Sequence, residues 1–180
     1  MNVALIGPRG AGKSTVSRLL SVATGWPVLS TDTLVSYETE GSRIPQIIAD
    51  SGGSFARFRE LEYHVLSKAG RLHEVILDCG GGIVVDLGER GEEQLSERKV
   101  SLLKEHALVF FLLPRLEDVA NKIAGDEQRP SLGSASPSEI HERRLPWYRR
   151  AAHYEIEVRG DEKDRSVEVV RKAMSKAGIL

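Results

Sequence analysis

The sequence contains little cysteine, almost no net charge and no long apolar run. Its one cysteine, Cys79, excludes an internal disulfide framework and makes the reducing cytosol the expected location. A formal net charge of −1 at pH 7 argues against a general nucleic-acid binder. No apolar stretch is long enough to span a bilayer, and the first residues lack the pattern of a secretory leader. We therefore expect a cytoplasmic protein with neither nucleic acid nor membrane as a partner.

Short apolar runs alternate with amphipathic segments along the chain. Strands are predicted at residues 3–6, 26–30, 74–79, 107–113 and 154–158. Helices are predicted at residues 14–24, 44–50, 55–69, 91–104, 138–150 and 167–176, with another just after Pro114. Strands that alternate with helices imply parallel pairing, with helices on both faces of one sheet. The pattern therefore predicts an α/β domain.

Residues 7–14, between the first strand and the first helix, read GPRGAGKS and match G-x-x-x-x-G-K-[ST]. Gly10 and Gly12 can adopt backbone angles that turn successive N–H groups toward a phosphate. Lys13 supplies a charge for the β- and γ-phosphates, and the Ser14 hydroxyl is placed to ligate Mg²⁺. The loop therefore predicts binding of a nucleoside triphosphate, ATP, with Mg²⁺. The predicted ATP-binding residues of this loop are Gly10, Ala11, Gly12, Lys13, Ser14 and Thr15.

A switch GTPase is disfavoured by two mismatches. Residues 121–124 read NKIA and lack the aspartate of N-K-x-D that reads guanine. Residues 50–53 match D-x-x-G, but they do not follow a predicted strand as that switch element must. The chain length, the five predicted strands and a late Arg-Pro loop favour a kinase that acts on a small metabolite.

Six motifs, in order and at nearly the right separations, resemble those of the shikimate kinases over nearly the whole chain. They are the phosphate loop at 7–15, STDTLVSYETEGSRIPQII at 30–48, FRELE at 58–62, GGG at 80–82, Arg-Pro at 129–130 and RLPWY at 144–148. The resemblance implies the three-layer α/β/α P-loop kinase fold, with a parallel five-stranded sheet in the order 2-3-1-4-5. It also implies a single domain over residues 1–180, with a mobile lid at about 125–137 and a substrate-binding helical segment at about 32–69.

The resemblance also implies roles for residues on the acceptor side. Arg59 and Arg144 would bind the carboxylate of shikimate, because arginine can grip a carboxylate through two parallel hydrogen bonds. Asp32 would accept hydrogen bonds from ring hydroxyls and orient the attacking one, although an aspartate here could also cap the following helix. Arg129 would close with the lid and neutralise charge on the transferring phosphoryl group. The implied substrate-binding residues are Asp32, Arg59, Gly80, Gly81, Gly82 and Arg144, and the implied catalytic residues are Lys13, Asp32 and Arg129.

Other residues are expected to support this set. Glu62 would hold Arg59, and Phe58 would form part of the pocket wall. A one-residue misfit before Phe58 leaves open whether Arg57 shares or takes the role of Arg59. The charged residues of the stretch 89–99 are interpreted as a solvated helix face.

The sequence departs from the family pattern at the metal site. Ser30 stands where the family has the first aspartate of D-x-D, which supports Mg²⁺ through water. However, Asp78 follows the apolar strand Val75-Ile76-Leu77, as the Walker B aspartate does in other P-loop NTPases. We hypothesise that Asp78 has taken over the supporting role, so the predicted metal residues are Ser14 and Asp78. Lys122 replaces an arginine that often packs on adenine, so stacking there should be weaker.

These observations predict transfer of the γ-phosphoryl of MgATP to the 3-hydroxyl of shikimate. The products would be shikimate 3-phosphate and ADP, on the route to chorismate and the aromatic amino acids. One alternative is a related P-loop kinase that acts on another polyhydroxy acid such as gluconate. A second alternative, motivated by Ser30, is an ATP-binding module without turnover. We expect a monomer whose partners are ATP and shikimate.

Overall fold

A computed structural model of the chain describes residues 1–115, 136–159 and 163–180, and a parallel sheet lies at its centre. The strands in these ranges are β1 (Asn2–Ile6), β2 (Val28–Ser30), β3 (Ile76–Asp78), β4 (Val85–Leu87), β5 (Glu93–Leu95), β6 (Ala107–Pro114) and β7 (Tyr154–Val158). The helices are α1 (Lys13–Thr24), α2 (Thr31–Glu38), α3 (Ile44–Asp50), α4 (Ala56–Gly70), α5 (Glu97–His106), α6 (Pro137–Ala151) and α7 (Lys163–Lys176). The predicted α/β class is confirmed.

The central sheet has the strand order β2-β3-β1-β6-β7, and all of its pairs are parallel. β6 and β7 are the fourth and fifth strands of this sheet, so the five strands follow the predicted order 2-3-1-4-5. The chain numbering differs because β4 and β5 come between them and form a separate antiparallel hairpin. Leu5 and Ser30 both pair with Asp78, which brings these three residues to one edge of the sheet.

The hydrophobic core lies on both faces of the sheet, which is why β1 is fully buried. Ala4 and Ile6 pack in one cluster with residues of α4, α5 and α6. Val3 and Leu5 point to the opposite face and pack with residues of α1 and α7. Because successive side chains of a strand point to opposite faces, an unbroken apolar strand needs cover on both sides. The three-layer architecture follows from this burial.

Three local predictions need correction. The predicted helix at 91–104 is wrong in its first part, since Glu93–Leu95 is strand β5 and Ser96 caps α5 by accepting a hydrogen bond from the Lys99 N–H. Helix α2 falls largely within the helical segment implied at about 32–69, but its own bounds were not predicted. Helix α7 begins at Lys163 rather than residue 167.

Several sequence predictions fall on residues that the structure does not describe. Arg129, Lys122, the helix after Pro114 and the part of the lid at 125–135 lie outside the described residues. Helix α6 begins directly after this gap with a capping box, in which Ser136 and Glu139 each accept a hydrogen bond from the other's backbone N–H. Within the described ranges, no helix has the length and apolar character needed to cross a membrane.

Candidate active site

The phosphate loop connects β1 to α1, and its backbone carbonyls bind the side chain of the loop's own lysine. Gly10 and Gly12 have φ values of 80° and 86°, in the left-handed region that favours glycine. Lys13 begins α1, and its Nζ donates hydrogen bonds of 2.9 Å to the carbonyls of Gly7 and Pro8. The positive end of α1 and the buried lysine therefore face the same loop, which is the arrangement that binds phosphate groups.

A cavity of about 280 Å³ lies in front of the phosphate loop. It is lined by Lys13, Ser14 and Thr15 from the loop and α1, and by Asp32, Asp78 and Gly80 from the neighbouring strand ends and α2. Ligands of open parallel sheets bind at this place, beyond the carboxyl ends of the strands. The cavity therefore joins the predicted nucleotide residues to three predicted acceptor residues, Asp32, Gly80 and Gly81.

The donors around the cavity fit a magnesium ion carried by a nucleotide. Mg²⁺ usually keeps several waters and takes one or two protein oxygens in addition to substrate phosphates. The Ser14 hydroxyl and the Asp78 carboxylate line the same cavity and can supply those two oxygens. Among the described residues, no group of three or more His, Cys, Asp or Glu side chains could hold a metal by itself.

Ser30 has a structural role that the sequence did not reveal. Its side chain caps α2 by accepting a hydrogen bond of 3.4 Å from the Thr33 N–H. The interpretation of Asp32 as the cap of this helix is therefore wrong, because Asp32 lies inside the first turn. Ser30 also lines the cavity, beside its register partner Asp78.

Two of the predicted acceptor side chains lie against the glycines that follow β3. A methyl carbon built on Gly80 would lie 2.4 Å from Asp32 Oδ1. A methyl carbon built on Gly82 would lie 2.1 Å from Arg59 Nη1. Real Cβ atoms do not approach other atoms this closely, so both positions require glycine for these side chains to stay in place.

The third acceptor side chain contacts the glycine between them. Arg144 Nη1 donates a hydrogen bond of 3.2 Å to the Gly81 carbonyl, and the Tyr148 hydroxyl donates one of 2.5 Å to the same oxygen. Residues from α2, α4 and α6 therefore converge on three consecutive glycines.

Arg59 is buried on α4 and held from several sides. Its Nη1 donates to Glu62 Oε2 at 2.6 Å and to the Gly82 carbonyl at 3.4 Å, and 3% of the residue is exposed. Its guanidinium lies 5.5 and 5.3 Å from the ring centroids of Phe55 and Phe58. Its Nε is buried and has no hydrogen-bond partner among the described residues. The guanidinium therefore has a fixed place and an unused donor.

The structure distinguishes Arg59 from Arg57, the other candidate for its role. Arg57 is exposed at the start of α4, whereas Arg59 and Phe58 are buried. It is Arg59 that contacts Gly82. The position that matches F-R-x-x-E is thus the one beside the glycines.

Arg144 is equally buried but is held by a residue far away in sequence. Its Nε donates to Glu93 Oε2 at 3.0 Å, and its Nη2 donates to Glu93 Oε1. The exposed Arg143 also binds Glu93, at 2.8 Å. Burial opposes ionisation of Glu93, but the hydrogen bonds and charges of the two arginines outweigh it and lower the pKa of this carboxyl.

The interpretation of residues 89–99 as a solvated helix face is wrong for Glu93 and Lys99. Lys99 is 0% exposed, and its Nζ lies 3.2 Å from Glu62 Oε2 and 2.5 Å from the Val85 carbonyl. One signal could have found it, since Lys99 is spaced four residues from the apolar Leu103 and therefore lies on the inward stripe of α5. Glu93 has no comparable signal in the sequence.

Cys79 follows β3 and is 1% exposed. Burial raises the pKa of its thiol well above the usual value. A thiol with so little thiolate is a packing residue rather than a nucleophile.

Comparison with known proteins gives a consistent result. A sequence model of the shikimate kinase family matches residues 9–176. A shikimate kinase of Leptospira biflexa is 44% identical over 171 residues, which cover 94% of this chain and 93% of that protein. One of Leptospira borgpetersenii is 47% identical over 158 residues, which cover 87% and 88%. The structure of the Acinetobacter baumannii shikimate kinase in complex with shikimate matches with a TM-score of 0.82 and 26% identity, over 99% of this chain and 95% of that chain.

Proposed function

The chain belongs to the shikimate kinase family and is an ATP-dependent small-molecule kinase, and from this premise we propose how its residues perform the reaction. The γ-phosphoryl of ATP passes to the 3-hydroxyl of shikimate, giving shikimate 3-phosphate and ADP. The predicted family and activity are confirmed, and the relatives do not favour gluconate or a module without turnover.

The convergence of Asp32, Arg59 and Arg144 on the three glycines carries the assignment of the acceptor site. Two buried guanidinium groups suit a carboxylate, since arginine binds it through paired, charge-assisted hydrogen bonds. The unpartnered Nε of Arg59 supplies one donor of such a pair. We assign Arg59 and Arg144 to the acceptor carboxylate.

We assign Asp32 to the ring hydroxyls of the acceptor, at the end opposite its carboxylate. A carboxylate accepts hydrogen bonds only, so it suits the ring hydroxyls of shikimate. Asp32 also lines the cavity that contains Lys13 and Ser14, so a hydroxyl bound to Asp32 would face the phosphate loop. We assign Asp32 to orienting the attacking hydroxyl and accepting its hydrogen bond as the phosphoryl group transfers.

The phosphate side works mainly by charge. Lys13 and the N–H groups of the loop hold the β- and γ-phosphates, while Ser14 and Asp78 would hold Mg²⁺. The ion neutralises charge on the phosphate oxygens when bound. Asp78 suits this task because Ser30, its sheet partner, carries no carboxylate and is already the cap of α2. By family resemblance, Arg129 adds a further positive charge.

The acceptor half of the domain has its own small core. Val35, Ile47, Phe58 and Val65 from α2, α3 and α4 form a separate apolar cluster. We propose that this segment, residues 32–69, carries the acceptor and that the lid at about 125–137 excludes water from the transfer. Because one chain supplies both the phosphate loop and the three acceptor side chains, we propose an enzyme that acts as a monomer. Its one cysteine is a free thiol, which supports a cytoplasmic location.

A coupled assay of ADP release tests this function. We expect turnover with shikimate and none above background with gluconate. Turnover with gluconate alone, or tight ATP binding without turnover on either acid, would contradict the proposal.

For the metal site, we expect Asp78→Asn to raise the Mg²⁺ concentration needed for half-maximal turnover by about tenfold. An unchanged Mg²⁺ dependence would remove Asp78 from that role.

A further inference from the structure

Lys99 is the one fully buried lysine of the described residues, and the reaction described above does not use it. It is 0% exposed on α5, and its Nζ lies behind the acceptor arginine rather than in the cleft. Taking an ammonium group out of water is costly unless charged and polar partners surround it. The position of those partners therefore indicates what the lysine does.

The first partner is the carboxylate that holds Arg59. Glu62 Oε2 accepts from Arg59 Nη1 at 2.6 Å and from Lys99 Nζ at 3.2 Å. Glu62 Oε1 is buried and has no hydrogen-bond partner among the described residues. Both cations thus bind one oxygen of a carboxylate whose terminal torsion is soft. Without Lys99, a single contact to Arg59 would set the orientation of this group.

The other partners of Lys99 belong to strand β4. Its Nζ donates to the Val85 carbonyl at 2.5 Å and lies 3.4 Å from Asp86 Oδ1. Asp86 accepts from Ser96 Oγ at 2.7 Å and from Arg98 Nε at 2.8 Å. A continuous set of contacts therefore runs from β4 and α5 through Lys99 and Glu62 to the acceptor side.

We propose that Lys99 is a positioning residue for the acceptor: it fixes the Glu62 carboxylate, and Glu62 fixes Arg59 beside Gly82 for the shikimate carboxylate. This inference rests on the proposed role of Arg59. Lys99 does not itself touch the acceptor. Burial lowers the pKa of Lys99 and the charge of Arg59 acts in the same direction, while the attraction of Glu62 and Asp86 opposes both.

The test is a double-mutant cycle between Lys99→Met and Glu62→Gln. We expect Lys99→Met to raise the KM for shikimate about tenfold while the KM for ATP stays within about twofold, as for pairs coupled in one network. In the Glu62→Gln background, Lys99→Met should add less than about threefold, because the residue it acts through is already altered. Lys104→Met, at an exposed position on the same helix, is the matched control and should change neither constant.

Two results would overturn the proposal. One is a folded Lys99→Met enzyme, judged by its thermal transition, with an unchanged KM for shikimate. The other is a set of fold-changes that multiply in the double variant, which indicates a merely structural lysine. If Lys99→Met does not fold, Lys99→Gln keeps a donor for the Val85 carbonyl and is measured against the same two criteria.

A third variant, Arg59→Met, distinguishes this proposal from the function it rests on. If Arg59→Met leaves the KM for shikimate unchanged, the acceptor assignment itself fails. If Arg59→Met raises that KM and Lys99→Met does not, the role of Lys99 alone is lost.

Discussion

Arg59 and Arg144 reach the same glycine segment from different helices, and they are held in two different ways. Arg59 is bound by Glu62, three residues further along α4, in a pair whose side chains are 4% and 1% exposed. Arg144 is bound by Glu93 from the β4–β5 hairpin, and Glu93 is shared with Arg143, whose side chain is 41% exposed. The carboxylate that binds Arg59 is therefore itself buried, whereas the carboxylate that binds Arg144 is shared with an exposed arginine.

The comparison shows that two arginines proposed to bind the same carboxylate can depend to different degrees on the glutamates that hold them. Removing one member of a fully buried ion pair leaves the other charged and without hydration, which is strongly destabilising. A pair that reaches the surface has water and salt to replace a lost partner. We therefore expect the Arg59 side to respond sharply to single changes, and the Arg144 side to tolerate them.

The largest effect should come from the two glutamates. Glu62→Gln leaves Arg59 and Lys99 buried with less negative charge, and should cost about 3 kcal/mol of the free energy of unfolding. Glu93→Gln should cost less, about 1 kcal/mol, because the side chains of Glu93 and Arg143 are 13% and 41% exposed and can be solvated, although Arg144 stays buried. Urea unfolding of the two variants measures the difference. Equal losses would show that the two networks do not differ as their burial suggests.

The second effect concerns binding of the acceptor. Arg59→Met and Arg144→Met each remove charge-assisted hydrogen bonds, worth about 1.5–3 kcal/mol apiece, so each should raise the KM for shikimate by about 100-fold or less. The KM for ATP should change little, and steady-state kinetics measures both constants.

The chain offers matched controls for both arginine substitutions. Arg57→Met and Arg143→Met alter exposed arginines close in sequence to Arg59 and Arg144. Both should keep the KM for shikimate near that of the wild type. A large increase for Arg57→Met would move the acceptor role away from Arg59.

The third effect compares substitutions at two neighbouring glycines, one expected to affect acceptor binding and the other nucleotide binding. A methyl group on Gly82 would meet Arg59 Nη1 at 2.1 Å, so Gly82→Ala should displace the guanidinium and raise the KM for shikimate by about tenfold. A methyl group on Gly81 would lie 3.1 Å from the Arg9 backbone nitrogen in the phosphate loop. Gly81→Ala should therefore raise mainly the KM for ATP. The prediction fails if both variants change the same constant.

The smallest effect is a dependence of stability on pH. The pKa of Glu93 in the folded protein lies below its usual value of 4.5, because Arg144 and Arg143 together outweigh burial. This carboxylate therefore stabilises the fold above pH 4.5, and the contribution is lost as pH falls through the lowered pKa. Between pH 6 and pH 3, Glu93→Gln should lose less stability than the wild type in urea titrations. A loss at least as large in the variant would show that Glu93 contributes no such term.

Features whose interacting residues lie close together in the sequence were predicted correctly. The phosphate loop is contiguous, and Lys13 takes its place from residues within the same motif. Helix α3 was predicted with its observed bounds, 44–50, and the structure shows a proline in its first turn, where proline favours a helix start. Arg59 was found because its partner Glu62 is three residues away, within one motif.

The same reasoning failed where burial is decided by contacts far apart in sequence. Lys99 meets Glu62 across 37 residues, and Glu93 meets Arg144 across 51. Their local stretch is rich in charge, which favours a solvated helix, and only the hairpin of β4 and β5 turns Glu93 toward α6. The apolar pattern did not give the bounds of helix α2, because only Thr31 and Val35 of its eight residues are buried.

The most direct test of the acceptor site compares shikimate with its uncharged carboxamide as substrates. The wild-type enzyme should prefer shikimate by about 100-fold or more in kcat/KM, since the amide cannot form charge-assisted pairs with the two guanidinium groups. Arg59→Met should lose most of that preference. Equal use of both compounds by the wild type, or full preference in Arg59→Met, would contradict the account.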